Sequence, residues 1–457
     1  MSTSTHRAAG ERVSLTVVLA VLLPLLTVGG LLLVRPASTE VPSPAPPDVR
    51  PLTRADVACP AAIPGTGAVR AMTTTDASGR LEVRRAGRAP ATRVPVRPGR
   101  VGTVRVPEPA LVTGRDSVAP GLLGTRAGGS PVAATSCPAP AGEQWFSGLG
   151  GQFEHRSVVE LVNPDRGTAV ADLTVHTARG AVRSPQLRGI SVPGGGVRRV
   201  DLARVLPRTG LMSAQVVVSR GRLSVAVADE LSPVGSGGLR DWIPATAGPS
   251  RSSLLMGLVP GAGERTLLVT NPGDDEVRAR VEVVTARSTF TPTGAEEVRV
   301  APGSVTAVRL PDVEAQVRRG ALGLRVTGTG PLVAGLRQVV DGDLSHLAPA
   351  PRFSGRAAAA LPGGPARVVL GGASGEASAS VVARSADGAV VARRRLSVGP
   401  DRAVSWSLPA RATSVQVSVS GSPVSGVVAL GGRGHAVLPL VAPPVTGEVP
   451  AVRPALR

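Results

Sequence analysis

The chain has 457 residues, of which 42% are apolar and only 2% aromatic, with no tyrosine, so any packed core must be built from Val, Leu and Ala. Its formal net charge is +19, and all 51 of its basic residues are arginine. No basic run carries interleaved aromatics, which argues against nucleic-acid binding, and the absence of lysine removes both the phosphate-loop lysine and the Ser-x-x-Lys nucleophile. Arginine suits bidentate contact with phosphate or carboxylate. Its scatter along the chain nevertheless reads more plainly as the codon usage of a GC-rich genome.

Residues 1–12 form a short polar tail containing Arg7, Glu11 and Arg12. Val13 to Val34 follows without a charge over 22 residues, and about 20 apolar residues span a bilayer core as a helix. A cleaved signal peptide is the alternative, but its apolar core is usually only about 7–15 residues long. We therefore expect an uncleaved, single-pass signal anchor with a cytoplasmic tail and the bulk of the chain extracytoplasmic. Pro24 kinks such a helix without excluding it. Residues 35–55, RPASTEVPSPAPPDVRPLTRA, read as an extended proline-rich linker. The C-terminal end from Pro439, PLVAPPVTGEVPAVRPALR, is similar in composition, and 445–457 is expected to be a disordered tail.

An internal repeat fills the space between. LVNP at 161–164 matches VTNP at 269–272, and SVPGGGVRRVDL (191–202) matches RVAPGSVTAVRL (299–310). SVGPDRAVSWSL (397–408) is a weaker copy, and VPVRPGRVGTVRV (94–106) the most degraded. The period is roughly 95–109 residues, the size of one immunoglobulin-like sandwich. Alternation supports strands: Ala171, Leu173 and Val175 share one face, and Asp172, Thr174 and His176 share a polar face expected to meet solvent. The predicted fold is all-β: tandem immunoglobulin-like β-sandwich modules at 56–142 (degenerate), 143–247, 248–350 and 351–444, after one transmembrane helix.

Few residues invite chemistry. The five histidines, His6, His155, His176, His346 and His435, lack the paired spacing of a zinc site, and no Gly-x-Ser-x-Gly elbow exists. No catalytic residue, cofactor or metal is assigned. The best metal candidate is Asp341-Gly342-Asp343, followed by His346, because carboxylates around a glycine turn suit Ca²⁺; a polar turn is the plainer reading. Cys59 and Cys137, both before proline, are expected to form a disulfide in an oxidising compartment. Trp145 in WFSGLGG and Trp242 in DWIP are the candidate ligand contacts, since indole stacks on sugar rings. The plainer reading packs Trp145 in the core or at a module interface.

Trp145-Phe146-Ser147-Gly148, Asn163-Pro164, the Pro193-Gly194 turn and Asp241-Trp242-Ile243-Pro244, together with the N-terminal anchor, resemble the actinobacterial secreted or membrane-anchored proteins of domain-of-unknown-function family 5719. The resemblance implies a cell-envelope protein and assigns no activity. The expected function is non-enzymatic: a membrane-anchored scaffold or binding protein whose partners are envelope glycopolymers or envelope-assembly membrane proteins. One alternative is a glycan-binding accessory protein for envelope polysaccharide assembly, which requires an exposed Trp145 or Trp242. A further alternative is a glycan hydrolase or transferase, which requires a cleft with converging carboxylates.

Overall fold

The computed structural model describes residues 14–33, 47–87, 90–232, 237–292, 297–310 and 313–449. The chain divides into two units, one made of residues 1–50 and 448–457, the other of residues 51–447. In the first, Leu15–Leu33 is a 19-residue α-helix with Pro24 inside it. At 1.5 Å per residue this is about 28 Å, a little under the ~30 Å hydrocarbon core. Among the described residues, no helix is long and apolar enough to cross a membrane. Val13 and Val34, the two ends of the expected anchor, and most of the proline-rich linker lie outside the described residues.

The second unit is built almost wholly of strands, as the period-2 patterning demands. The main strands fall into four sets of eight that share one wiring. In each set the first, sixth, third and fourth strands pair in that order to form one layer. The fifth, second, seventh and eighth form the other. In the first set these layers are Arg54–Cys59, Ala110–Arg115, Gly79–Arg85, Thr92–Val96 and Gly102–Arg105, Ala68–Thr73, Leu122–Gly128, Ala133–Ser136. In the third and fourth sets the sixth and seventh strands are halves of one long strand, Ala321–Val340 and Ser414–Leu430, which crosses from one layer to the other. Each copy is thus a two-layer sandwich with Val, Leu and Ala between the layers.

The immunoglobulin expectation does not carry through in detail. In immunoglobulin domains the first strand pairs with the second, and the seventh with the sixth. Here the first strand pairs with the sixth and the seventh with the second, so the inner pairs match while the outer strands have exchanged sheets. Periodicity reports which residues face inward; it carries no information about which neighbour an edge strand selects.

The copies do not hang as separate beads. The eighth strands, Ala133–Ser136, Leu239–Ile243, Asp343–Leu347 and Ala436–Pro439, contact one another in a closed cycle. The first sandwich therefore touches the fourth as well as the second, and the four close into a ring. Val132 N–H donates to the Arg433 carbonyl at 2.8 Å across the junction of the first and fourth copies. Leu52 N–H donates to the Val445 carbonyl at 3.1 Å, so the chain enters and leaves this unit at one place.

A buried carboxylate and histidine cluster at the ring centre

The eighth strands bring together residues that lie far apart in sequence. Asp229 sits on the second copy's seventh strand, Ser224–Leu231, where it faces Ser157 on one neighbouring strand and Asp241 on the other. Its side chain is fully buried. The His155 Nε2 lies 3.0 Å from Asp229 Oδ1, and the His346 Nε2, from the third copy, lies 3.0 Å from Oδ2. A carboxylate only accepts, so both imidazoles donate through Nε2. Ser157 Oγ donates to Oδ1 at 2.5 Å and itself accepts from Gly150 N–H at 2.8 Å. The two histidines hold the Asp229 carboxyl well below the usual carboxylate range, outweighing the burial that would raise it.

Two further aspartates join neighbouring copies. Asp241, fully buried, accepts from Ala134 N–H of the first copy at 3.4 Å. Asp343 accepts from His435 N–H of the fourth copy at 2.6 Å. Burial pushes both carboxyls up, and for Asp241 the neighbouring charges of Asp343 and Asp229 push further. Asp229, Asp241 and Asp343 therefore each tie one module to the next, and the Val132–Arg433 backbone bond closes the fourth junction. Glycine is required beside the cluster: a Cβ on Gly150 would lie 2.3 Å from the His155 ring. An apolar cavity of about 220 Å³ lies alongside, lined by Pro244, Ala245, His346, Leu347, Phe353 and Val437 among others.

The repeat shows how specialised these positions are. Strand registers place Ser157, Asp229 and Asp241 opposite one another in the second copy, and Arg265, Gln338 and Ser345 in the third. In the fourth, the corresponding residues are Ala366, Leu430 and Ala436. The same scaffold thus tolerates an acidic, a cationic or an apolar trio, so the fold itself does not require the carboxylates. Gln338 serves its own copy by accepting from Val259 N–H at 3.1 Å.

The residues singled out in the sequence fare unevenly. Asp343 and His346 are in the cluster, but as structural partners rather than ligands: Asp341 points elsewhere and accepts from Ala262 N–H at 3.1 Å on an exposed turn. Asp341 and Asp343 therefore do not converge, and among the described residues no group of three or more His, Cys, Asp or Glu is placed to hold a metal ion. Trp145 and Trp242 are 2% and 1% exposed, so neither offers a ring face to a sugar. Trp145 stacks on His176 with ring centroids 5.4 Å apart and donates to Glu143 at 2.7 Å.

The expected solvent position of His176 is corrected. It is buried, and its Nδ1 lies 2.8 Å from the Gly303 carbonyl of the third copy. The His176 end of that polar face is covered by the neighbouring sandwich, while Asp172 and Thr174 stay half-buried, a difference that alternation alone does not reveal. Cys59 and Cys137 are joined as a disulfide. Missed in the sequence were Ser157 and His155, whose only signal was that Arg265 and Gly263 occupy the matching positions 108 residues on.

A family model described as Family of unknown function (DUF5719) matches residues 122–409. The chain belongs to this family. The match begins at the seventh strand of the first sandwich and runs through the fifth strand of the fourth. The DUF5719 region therefore contains the three bridging aspartates, His155 and His346. No curated protein matches the chain.

Proposed function

We propose that the chain is a non-enzymatic scaffold or binding protein of the bacterial cell envelope, anchored by Val13–Val34, with the four-sandwich ring presented outside the membrane. The observation that carries this reading is the bridging cluster: Asp229, Asp241 and Asp343 are buried and spend their bonds across module junctions, where they hold the ring together. A disulfide in a chain of this size fits an oxidising compartment. The short helix would be matched to a bilayer by local thinning and by its flanking residues. A binding role draws further support from Phe153, 98% exposed on the turn between Glu143–Gly151 and His155–Val162. An aromatic placed wholly in water is a natural contact for another protein. The glycan-binding alternative loses the two indole rings it required.

The test is made in intact cells of the native host. External protease is expected to reach residues 51–447, and a photo-cross-linker at position 153 to capture a defined set of envelope proteins. Asp229→Ala, which opens the ring, is expected to lose those cross-links, and an exposed Arg393→Gln substitution to keep them. Protection from external protease, or turnover of an envelope glycan by the purified chain, would overturn the reading.

A further inference from the structure

The outer face of the second sandwich carries a groove that the scaffold reading does not use. It runs along the strand Val197–Asp201, an edge strand paired only with His155–Val162. One part, about 670 Å³, is lined by Arg188, Arg198, Arg199 and Arg204, with Asp201 as its acid. The adjoining part, about 520 Å³, shares Arg198 and Arg199 and adds Arg85 and Glu108 from the first sandwich. Arginines therefore outnumber carboxylates across two neighbouring cavities that share Arg198 and Arg199, the second of which spans a module junction.

Its walls are set in place from below. Glu160, with its side chain 7% exposed, accepts from Arg199 Nε at 2.8 Å and from Ala61 N–H of the first copy at 2.9 Å. Gly87 N–H donates to the Gly195 carbonyl at 2.5 Å, which brings the end of the strand carrying Arg85 against the second copy. Both acids in the groove are already engaged, Asp201 by Arg156 and Arg204, and Glu108 by Arg85. Arg188 and Arg198 are exposed and have no acidic partner among the described residues.

The repeat again supplies the comparison. Glu160, Arg198 and Arg199 correspond to Leu268, Thr306 and Ala307 in the third copy, and Arg198 and Arg199 to Val404 and Ser405 in the fourth. At these two positions the strand folds without arginine in the third and fourth copies, so the adjacent pair here, with a buried glutamate orienting one guanidinium, is a local feature rather than uniform composition.

We propose that this groove binds a linear anionic polymer through its phosphodiester groups. Guanidinium forks match phosphate oxygens bidentately, and spacing along an edge strand suits an extended chain. The groove is lined without aromatic residues, so recognition falls on charge rather than on sugar stacking. This inference is independent of the scaffold role, since a groove of this kind would serve any envelope-facing protein.

The test is equilibrium binding of the full chain in detergent to poly(glycerol phosphate), with polygalacturonate as a carboxylate polymer of similar charge. Arg188→Glu/Arg198→Glu is expected to weaken phosphate-polymer binding at least about tenfold and to flatten its salt dependence. Arg393→Glu/Arg394→Glu, an equal charge change on the exposed strand Val390–Val398 of the fourth sandwich, is expected to leave binding within about twofold. Matched thermal melts show that both variants are folded. Absence of wild-type binding, equal losses in the two double variants, or preference for polygalacturonate would each overturn the proposal.

Discussion

Asp229 concentrates the physics of the molecule. A carboxylate removed from water is costly unless it is paired and fully hydrogen-bonded. Here His155, His346 and Ser157 supply donors to both oxygens. Removing the acid leaves two buried imidazoles without their acceptor, so Asp229→Ala is expected to lower stability by about 3–5 kcal/mol in denaturant titration. The pH response has two limbs. Asp229 has a lowered folded value, so its contribution is present above its unfolded value near 3.8 and is lost as pH falls below that. Asp241 has a raised folded value, so its contribution is present at low pH and is lost as pH rises through that raised value. Asp241→Asn keeps an acceptor for Ala134 N–H without the charge. It is expected to gain stability relative to the wild type as pH increases, and a wild-type difference that stays flat with pH would refute this assignment.

At the scale of the element, the repeated Asn-Pro motif has a physical explanation. Asn163 Nδ2 donates to the carbonyls of Gly167 (2.7 Å) and Val192 (3.1 Å), and its Oδ1 accepts from Asp165 N–H. Asn271 repeats all three bonds 108 residues later, with Asp275, Val300 and Gly273. Each asparagine pins a strand end to its turn. Asn271→Ala is expected to cost about 2–3 kcal/mol, and Asn271→Asp a similar amount, because aspartate cannot donate to the two carbonyls. Such local rules were legible in the sequence: the repeat, the strand periodicity and the Pro-Gly turns all follow from short-range patterns. What was not legible is pairing across copies. His176 sits on a polar strand face yet is buried, because a second sandwich covers its end of that face. The exchange of edge strands relative to an immunoglobulin domain is likewise set by long-range contacts. His155 carries no local signal at all; its role exists only because the strand Ser224–Leu231, some 70 residues on in the same sandwich, pairs beside it and brings Asp229 into reach.

For the whole molecule, the ring replaces the string of beads that tandem repeats suggest. Closure lets four small sandwiches, poor in aromatics, share burial at their junctions: the core of the third includes Val369, Ala403, Val427 and Val437 of the fourth. The Cys59–Cys137 disulfide, closing a 78-residue separation, joins the first strand of the first sandwich to the residue after its eighth. Cys59→Ser/Cys137→Ser is expected to lower stability by about 4–5 kcal/mol. A ring pinned by three buried carboxylates should also unfold as a unit. Differential scanning calorimetry of the full chain tests this most directly. The wild type is expected to give one transition whose calorimetric and van't Hoff enthalpies agree for residues 51–447. Asp229→Ala is expected to split it into at least two. Separate transitions in the wild type, or a single unaltered transition in Asp229→Ala, would contradict a ring locked at its centre.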